Sequence, residues 1–427
     1  MSLKRFRFGK LIPIVAVLAI VAAACSSSKS STASSSSSSQ AQGPATTGAP
    51  SVPCTGTPVK LMGIEDATGP IPHPQTIAGV KAGIFAANKN CTAGRPLSYT
   101  VCDDQGNANS GEACAREAVS GGYTAVIDTS TATSTAWEPI LAAAKIPIVG
   151  GVASASSDYT YPYGFFLSFP LVTIMAQLKI AAALKATTFT FAAVDLPNVR
   201  GLVTAEAAAA KALGLTLASP VYIPPTATDY ASYAAQIKSS GAQAVVFILG
   251  EQGENQLLNA MHQAGIDITK LHVITTTQVL DDVDLQKLGP AAEGALLASA
   301  AWPTDDTTNP GIKAYEDGLT AAGISDPIKG DYGVMAWDTI KLLAPILKGL
   351  PTVTPAALIS ALEQTGPTSY PEFHPFDLTH TAFPDSPALS KLRIWSQDVI
   401  IGEVKGGVIV PISGFESVAN PITLNVK

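Results

Sequence analysis

Six of the seven residues from Thr129 to Thr135 carry a hydroxyl, the exception being Ala132. They stand directly before a stretch of helical patterning that runs to about Lys145. The first N–H groups of a helix have no partner inside it. Those donors, with a serine or threonine hydroxyl beside them, suit a carboxylate or another acceptor group. The same residue types also cap helices for structural reasons alone, and one residue can serve both ends. A second small polar stretch, Gly150–Ser157 (GGVASASS), follows the short apolar run Ile146–Val149. The chemistry on offer is hydrogen bonding rather than bond making. The chain has no Gly-x-Ser-x-Gly elbow, no Gly-x-Gly-x-x-Gly fingerprint, no phosphate loop ending in Gly-Lys-Ser/Thr and no His-Glu-x-x-His pair. An enzyme on an α/β scaffold therefore finds little support, and neither a cofactor nor a metal is expected. Asp103 and Asp104 offer either a cation site or a turn, with the turn favoured. His73, between Pro72 and Pro74, reads as a rim residue rather than a metal ligand.

These stretches need elements to hold them. Tyr123–Asp128 is a short β-rich run, so Gly122–Ser157 reads as strand, loop, helix, strand, loop. Such a βαβ unit puts both loops at the carboxyl ends of parallel strands, where open α/β sheets bind ligands. Pro58–Glu65 and Leu97–Cys102 are further strands, with helices over Gln75–Asn90 and Gly111–Ser120, and Tyr163–Phe169 is a fifth strand leaving this lobe. The rhythm then restarts. Strands over Thr188–Asp195, Leu217–Ile223, Ala244–Leu249 and His272–Thr276 alternate with helices, which predicts a second doubly wound parallel sheet. Helices over Ile312–Ala322, Tyr332–Lys348 and Pro355–Gln364 follow. Short strands over Leu392–Ser396, Val399–Val404 and Gly407–Val410 close the chain and cap the second lobe's sheet.

The N-terminus is of another kind. Lys4, Arg5, Arg7 and Lys10 precede the apolar run Leu11–Ala24, which is short for a membrane span. The ending Ala23-Ala24-Cys25 resembles the lipobox of bacterial lipoproteins, which implies lipidation at Cys25 after removal of residues 1–24. Residues 25–53 are a Ser-rich tether whose coil would span about 30 Å. The net charge is −7, and four units more negative once the leader is gone. An acidic chain without a basic cluster argues against nucleic acid. Cys54, Cys91, Cys102 and Cys114 remain in an exported, oxidising context. Four cysteines allow three pairings, of which Cys54–Cys91 with Cys102–Cys114 is favoured, because the latter would pin the loop between a strand and the next helix. Residues 54–170 and 301–385 form the first lobe, and 171–300 with 386–427 the second.

In order and spacing, VKLMGIEDATGP, VCDDQGNANSGEACAREAVSGGYTAVID, AKIPIVGG and GAQAVVFILG resemble the type I periplasmic solute-binding proteins. Within these the chain is similar to the branched-chain amino-acid (Leu/Ile/Val-binding-like) family of ABC-transporter receptors, over roughly Pro58 to Ser413. The resemblance implies two lobes joined by three crossovers that close on a small ligand, with no reaction and no cofactor. It implies a monomer, tethered outside the cytoplasm, that delivers its ligand to an ABC permease. A sensor of the same fold reporting to a signalling partner stands as the alternative. By position it implies that the loop at Thr129, Ser130 and Thr131, then Ala153 and Ser154, hold a ligand's carboxylate end. The opposing loops are those at Asp195, at Glu251 and Gln252, and at Thr277 and Gln278. Amino-acid binders carry an acid after the strand where this chain has Thr276-Thr277-Gln278. Asp195 or Glu251 substitutes for it, or is a solvated loop residue. Trp302 and Tyr332 near the lobe crossings are candidates to stack on a ligand or to pack the hinge. Tyr159, Tyr161 and Tyr163 read as a surface loop or as the cleft mouth.

Overall fold

The computed structural model describes residues 54–424, apart from 70–71, 132, 169, 325–329 and 382–389. Cys25, the leader and the tether lie outside the described residues. Strands β1 (Val59–Glu65), β2 (Leu97–Asp103), β3 (Ala125–Ile127), β4 (Ile148–Val149) and β5 (Gly164–Phe165) form a sheet in the order β2-β1-β3-β4-β5, parallel throughout. Both faces of β1 are apolar because both are covered. Leu61 enters the core made by helices α1 (Pro74–Asn90), α9 (Pro310–Ala321) and α10 (Asp331–Gly349), while Met62 and Ile64 join that of α2 (Ala108–Ser120) and α3 (Ser134–Ala144). Small residues let α1 and α10 approach closely: a Cβ on Gly79 would stand 2.1 Å from the Gly333 carbonyl oxygen.

The second sheet is built from β6 (Thr188–Val194), β7 (Thr216–Leu217), β8 (Val221–Ile223), β9 (Ala244–Ile248), β10 (His272–Thr276) and β11 (Leu296–Ser299), all parallel to their neighbours. A hairpin, β12 (Thr368–Tyr370) and β13 (Phe373–Phe376), precedes the tail strands β14 (Asp398–Lys405), β15 (Val408–Pro411) and β16 (Glu416–Ser417). The tail extends the second sheet, but antiparallel: β14 lies against β11 and β15 against β14. One face carries α4 (Pro170–Ala183) and α5 (Pro197–Ala212). The other carries α6 (Ala231–Ser239), α7 (Glu251–Gln263) and α8 (Asp282–Leu288).

The chain crosses between the sheets three times: after β5, after β11, and before β14. The first and third crossings run side by side. Phe166 N donates to Arg393 O at 3.0 Å, Trp395 N to Phe166 O at 2.8 Å, and Trp395 Nε1 to Phe165 O at 3.2 Å. This corrects two expectations. Leu392–Ser396 is not a strand, because its backbone bonds are spent on the neighbouring crossing, with one bridge at Ile394. The strand expected over Tyr163–Phe169 is only two residues long for the same reason. Tyr159 and Tyr161 are core rather than surface: Tyr161 is buried and donates its hydroxyl to Ile146 O at 2.7 Å. The disulfides are Cys54–Cys91 and Cys102–Cys114, with Cα separations of 5.1 and 5.7 Å. Among the described residues no helix is long and apolar enough to cross a membrane.

Candidate functional site

Asp128 directly follows β3 and adopts a left-handed backbone (φ 51°) rarely taken by a side-chain-bearing residue. Two contacts hold it there. Its Oδ1 accepts from Thr339 Oγ1 of α10 at 2.7 Å and from Gly151 N at 3.1 Å. Gly150 and Gly151 are themselves left-handed (φ 84° and 71°), and a Cβ on Gly150 would stand 2.3 Å from both Asp128 Oδ1 and Thr339 Oγ1. The two loops are thus joined at their bases, and Val152 N continues the seam by donating to Thr129 O at 3.2 Å.

Thr129, Ser130 and Thr131 are all buried, at 4, 8 and 5% exposure. None of them caps α3, whose first turn has no side-chain cap. Thr131 Oγ1 donates instead to Asp104 Oδ2 at 2.7 Å, and Thr133 Oγ1 to the same oxygen at 2.5 Å. Ser130 pairs with the hydroxyl of Tyr332, whose ring lies stacked on His73 with centroids 4.3 Å apart. Burial lowers the His73 value, so the stacked imidazole is neutral. In the second loop Ala153 is fully buried and its amide donates to Ser168 O at 3.0 Å. Ser154 is half-buried, with its hydroxyl donated to Val152 O at 3.2 Å.

Burial raises Glu65 and Asp128 well above the usual carboxyl range, Glu65 further so by the neighbouring Asp128 and Asp104. Asp66, Asp103 and Asp104 carry oxygens within 4.8 Å of one another. Asp103 is a turn former: Oδ1 accepts the amides of Ala67, Thr68 and Gln105, and Oδ2 the Thr68 hydroxyl. Burial opposes its ionisation, but these bonds outweigh it and hold the carboxyl below its ordinary value.

The opposing loops sit at the carboxyl ends of β6, β9 and β10. Thr277 is buried and donates Oγ1 to Asp331 Oδ2 at 2.5 Å. Asp331 opens α10 and also accepts from Ser299 Oγ at 2.9 Å and Ala300 N at 3.1 Å. Gln278 is half-buried, and its Nε2 meets no acceptor among the described residues. Glu251 and Gln252 are exposed at the start of α7. Burial, then Asp284 and Asp281, raise Glu251. Asp195 is spoken for locally: its Oδ1 meets Arg200 Nε at 2.6 Å, and Arg200 lies 3.9 Å above the Tyr222 ring. Trp302 packs at a crossing, with Nε1 donating to Asp306 Oδ2 at 2.8 Å and its ring against Phe415.

Adjacent residues of one helix terminus therefore touch both lobes, Asp331 holding Thr277 and Tyr332 holding Ser130. The sequence signal for Asp331 was slight, an acid at the first position of an apolar helix. Two surface hollows, of about 390 Å³ beside Trp395 and about 620 Å³ beside Pro290 and Val408, are lined by none of these loop residues.

Residues 58–387 match the model of a family described as periplasmic binding protein. No curated relative matches the chain. Among solved structures, the chain is similar to a solute-binding protein of an ABC transporter from R. palustris in complex with 4-hydroxybenzoate. That pair shares 21% identity at a TM-score of 0.67, covering 83% of this chain and 95% of the other. A substrate-binding periplasmic protein from Ralstonia solanacearum gives 18% and 0.69, covering 83% and 99%. A fatty acid ABC transporter substrate-binding protein from Thermomonospora curvata gives 16% and 0.68, covering 88% and 97%. At these identities the likeness carries the fold.

Proposed function

The chain belongs to the periplasmic binding protein family, and from that premise we propose that it captures a small carboxylate-bearing solute between its lobes and delivers it to an ABC importer. The observation that carries this reading is the unmatched donor at Gln278 Nε2, buried in the Thr277 loop that Asp331 joins to the Tyr332–Ser130 side. A buried amide without an acceptor costs about 1–3 kcal/mol, and a ligand oxygen there would recover it. The Thr129–Thr131 loop, Ser154, Thr277 and Gln278 are the proposed contacts, with Glu251 and Gln252 at the rim.

The solute end facing the second lobe is proposed to lack an ammonium group. Asp195 is neutralised by Arg200, and the position after β10 holds Thr277 and Gln278 rather than an acid. Carboxylates of the kind named for the similar structures, 4-hydroxybenzoate and fatty acids, fit this better than an α-amino acid. A thermal-shift panel of hydroxybenzoates, fatty acids, amides and amino acids tests it. A ligand at a hundredfold excess over Kd stabilises the folded form by about 2.7 kcal/mol. A hydroxybenzoate or fatty acid is expected to raise Tm by several degrees without being consumed. A shift confined to amino acids, or turnover of the ligand, would overturn the proposal.

The anchor is part of the same reading. Lipidation at Cys25 would hold a monomeric head on the tether, outside the cytoplasm. Cys25→Ala is expected to release the protein from the membrane fraction, and retention of that variant would refute the anchor.

A further inference from the structure

Beyond Ser154 the second loop runs into the short 3-10 turn Asp158–Thr160. Asp158 is 5% exposed, and its Oδ2 accepts the Ala155 amide at 2.7 Å while the Ser154 amide faces the same carboxyl group. The group on its other side is not a base. It is Glu138 of α3, 2% exposed, whose carboxyl is hydrogen-bonded to that of Asp158. A second contact ties the same two segments, Thr135 Oγ1 to Ser157 Oγ at 3.2 Å. The remaining titratable groups that face the pair are phenols, Tyr159, Tyr161 and, next to Tyr161, Tyr163. Neither carboxyl has a Lys or Arg partner among the described residues.

Two carboxylates cannot both be charged in contact and out of water, so the pair must hold one proton between them. Asp158 receives the backbone amides and is therefore the charged member. Glu138 is the donor. We infer that Glu138 and Asp158 are positioning residues, a proton-sharing pair that sets the Ser154–Ala155 segment of the ligand loop against α3. This extends the proposed function and rests on it only in taking that loop as a ligand contact. Burial, then Asp158, hold the Glu138 carboxyl far above its ordinary value, so the pair keeps its proton at neutral pH and surrenders it in alkali.

The test is amide exchange in the full chain without ligand, by quench flow from pH 6 to pH 10.5, with each rate divided by its intrinsic base-catalysed rate. Protection of Ser154 and Ala155 is expected to stay level to about pH 8 and then to fall at least tenfold, while Val126 and Ile127 of β3 hold theirs. Glu138→Gln keeps a neutral donor and should abolish the alkaline fall. Asp158→Ala should lose the protection at every pH. A level wild-type profile, an alkaline fall unchanged in Glu138→Gln, or full protection in Asp158→Ala would each overturn the inference. Affinities for 4-hydroxybenzoate and palmitate, measured on the same variants, should fall in step with protection. If neither probe binds any variant, the solute class is wrong, while the exchange profile still decides the pair.

Discussion

Raising the pH from 5 to 8 is expected to lower the melting temperature of the folded chain, the reverse of ordinary acid denaturation. Glu206 of α5 is 4% exposed with an unpartnered oxygen, and burial pushes its carboxyl up to about 7. Glu254 of α7 is fully buried, and burial carries it to about 8 against the opposing hydrogen bond from Thr275. In the unfolded chain both ionise near 4.5. Between that value and the folded one the native state binds the extra proton, so stability falls as pH rises through the window. The shifts correspond to roughly 3 to 5 kcal/mol for each group at full extent. Exposed Asp195 and Asp267 are shifted the other way, but solvent screens them. Calorimetry at pH 5, 6.5 and 8 on wild type, Glu206→Gln and Glu254→Gln checks this. Each variant should flatten the decline, and a wild-type Tm that climbs towards pH 8 would refute the account.

The second large effect concerns Asp331. Its carboxylate joins the Thr277 loop of the second lobe and the Ser299–Ala300 crossing to the first helix turn of the first lobe. Asp331→Ala leaves the buried Ala300 amide without its acceptor, while Ser299 and Thr277 fall back on the carbonyls of Ala301 and Ala298, a loss of about 1–3 kcal/mol. It also frees the second-lobe loop from α10, so the lobes should part. Small-angle scattering of the variant should show a larger radius of gyration, with Tm lower by several degrees. Asp331→Asn, which retains one acceptor oxygen, should fall between. Tyr332→Phe, losing only the Ser130 bond, should leave the scattering curve close to wild type. Unchanged scattering and Tm in Asp331→Ala would show that the lobes are held elsewhere.

Much of this architecture is legible in the amino-acid sequence. Apolar runs of strand length alternating with helical patterns gave β1, β6, β9 and β10 within a residue or two, and α10 nearly end to end. Alternation is a local property, written by which faces are covered. The short strands depart from their local signals where the crossings compete for the same backbone. Leu392–Ser396 has strand composition, yet its partners are the backbone of Phe165 and Phe166, more than two hundred residues earlier.

Taken alone, the sequence determined a two-lobed α/β chain, the favoured cysteine pairing, and small polar loops at strand ends, because strand ends and small polar turns are set by neighbours in the chain. Tertiary structure decided which of those polar groups already have a partner and would meet a ligand only by sharing or exchanging it. Asp104 takes up the Thr131 and Thr133 hydroxyls, Tyr332 takes Ser130, Asp331 takes Thr277 and Arg200 takes Asp195, whereas Gln278 Nε2 is left over. Most of these partners come from other elements, and the Asp128–Thr339 bond at the base of the loops joins residues 211 positions apart. A hydrogen bond forms or fails over tenths of an ångström, a distance that packing sets and residue order does not record.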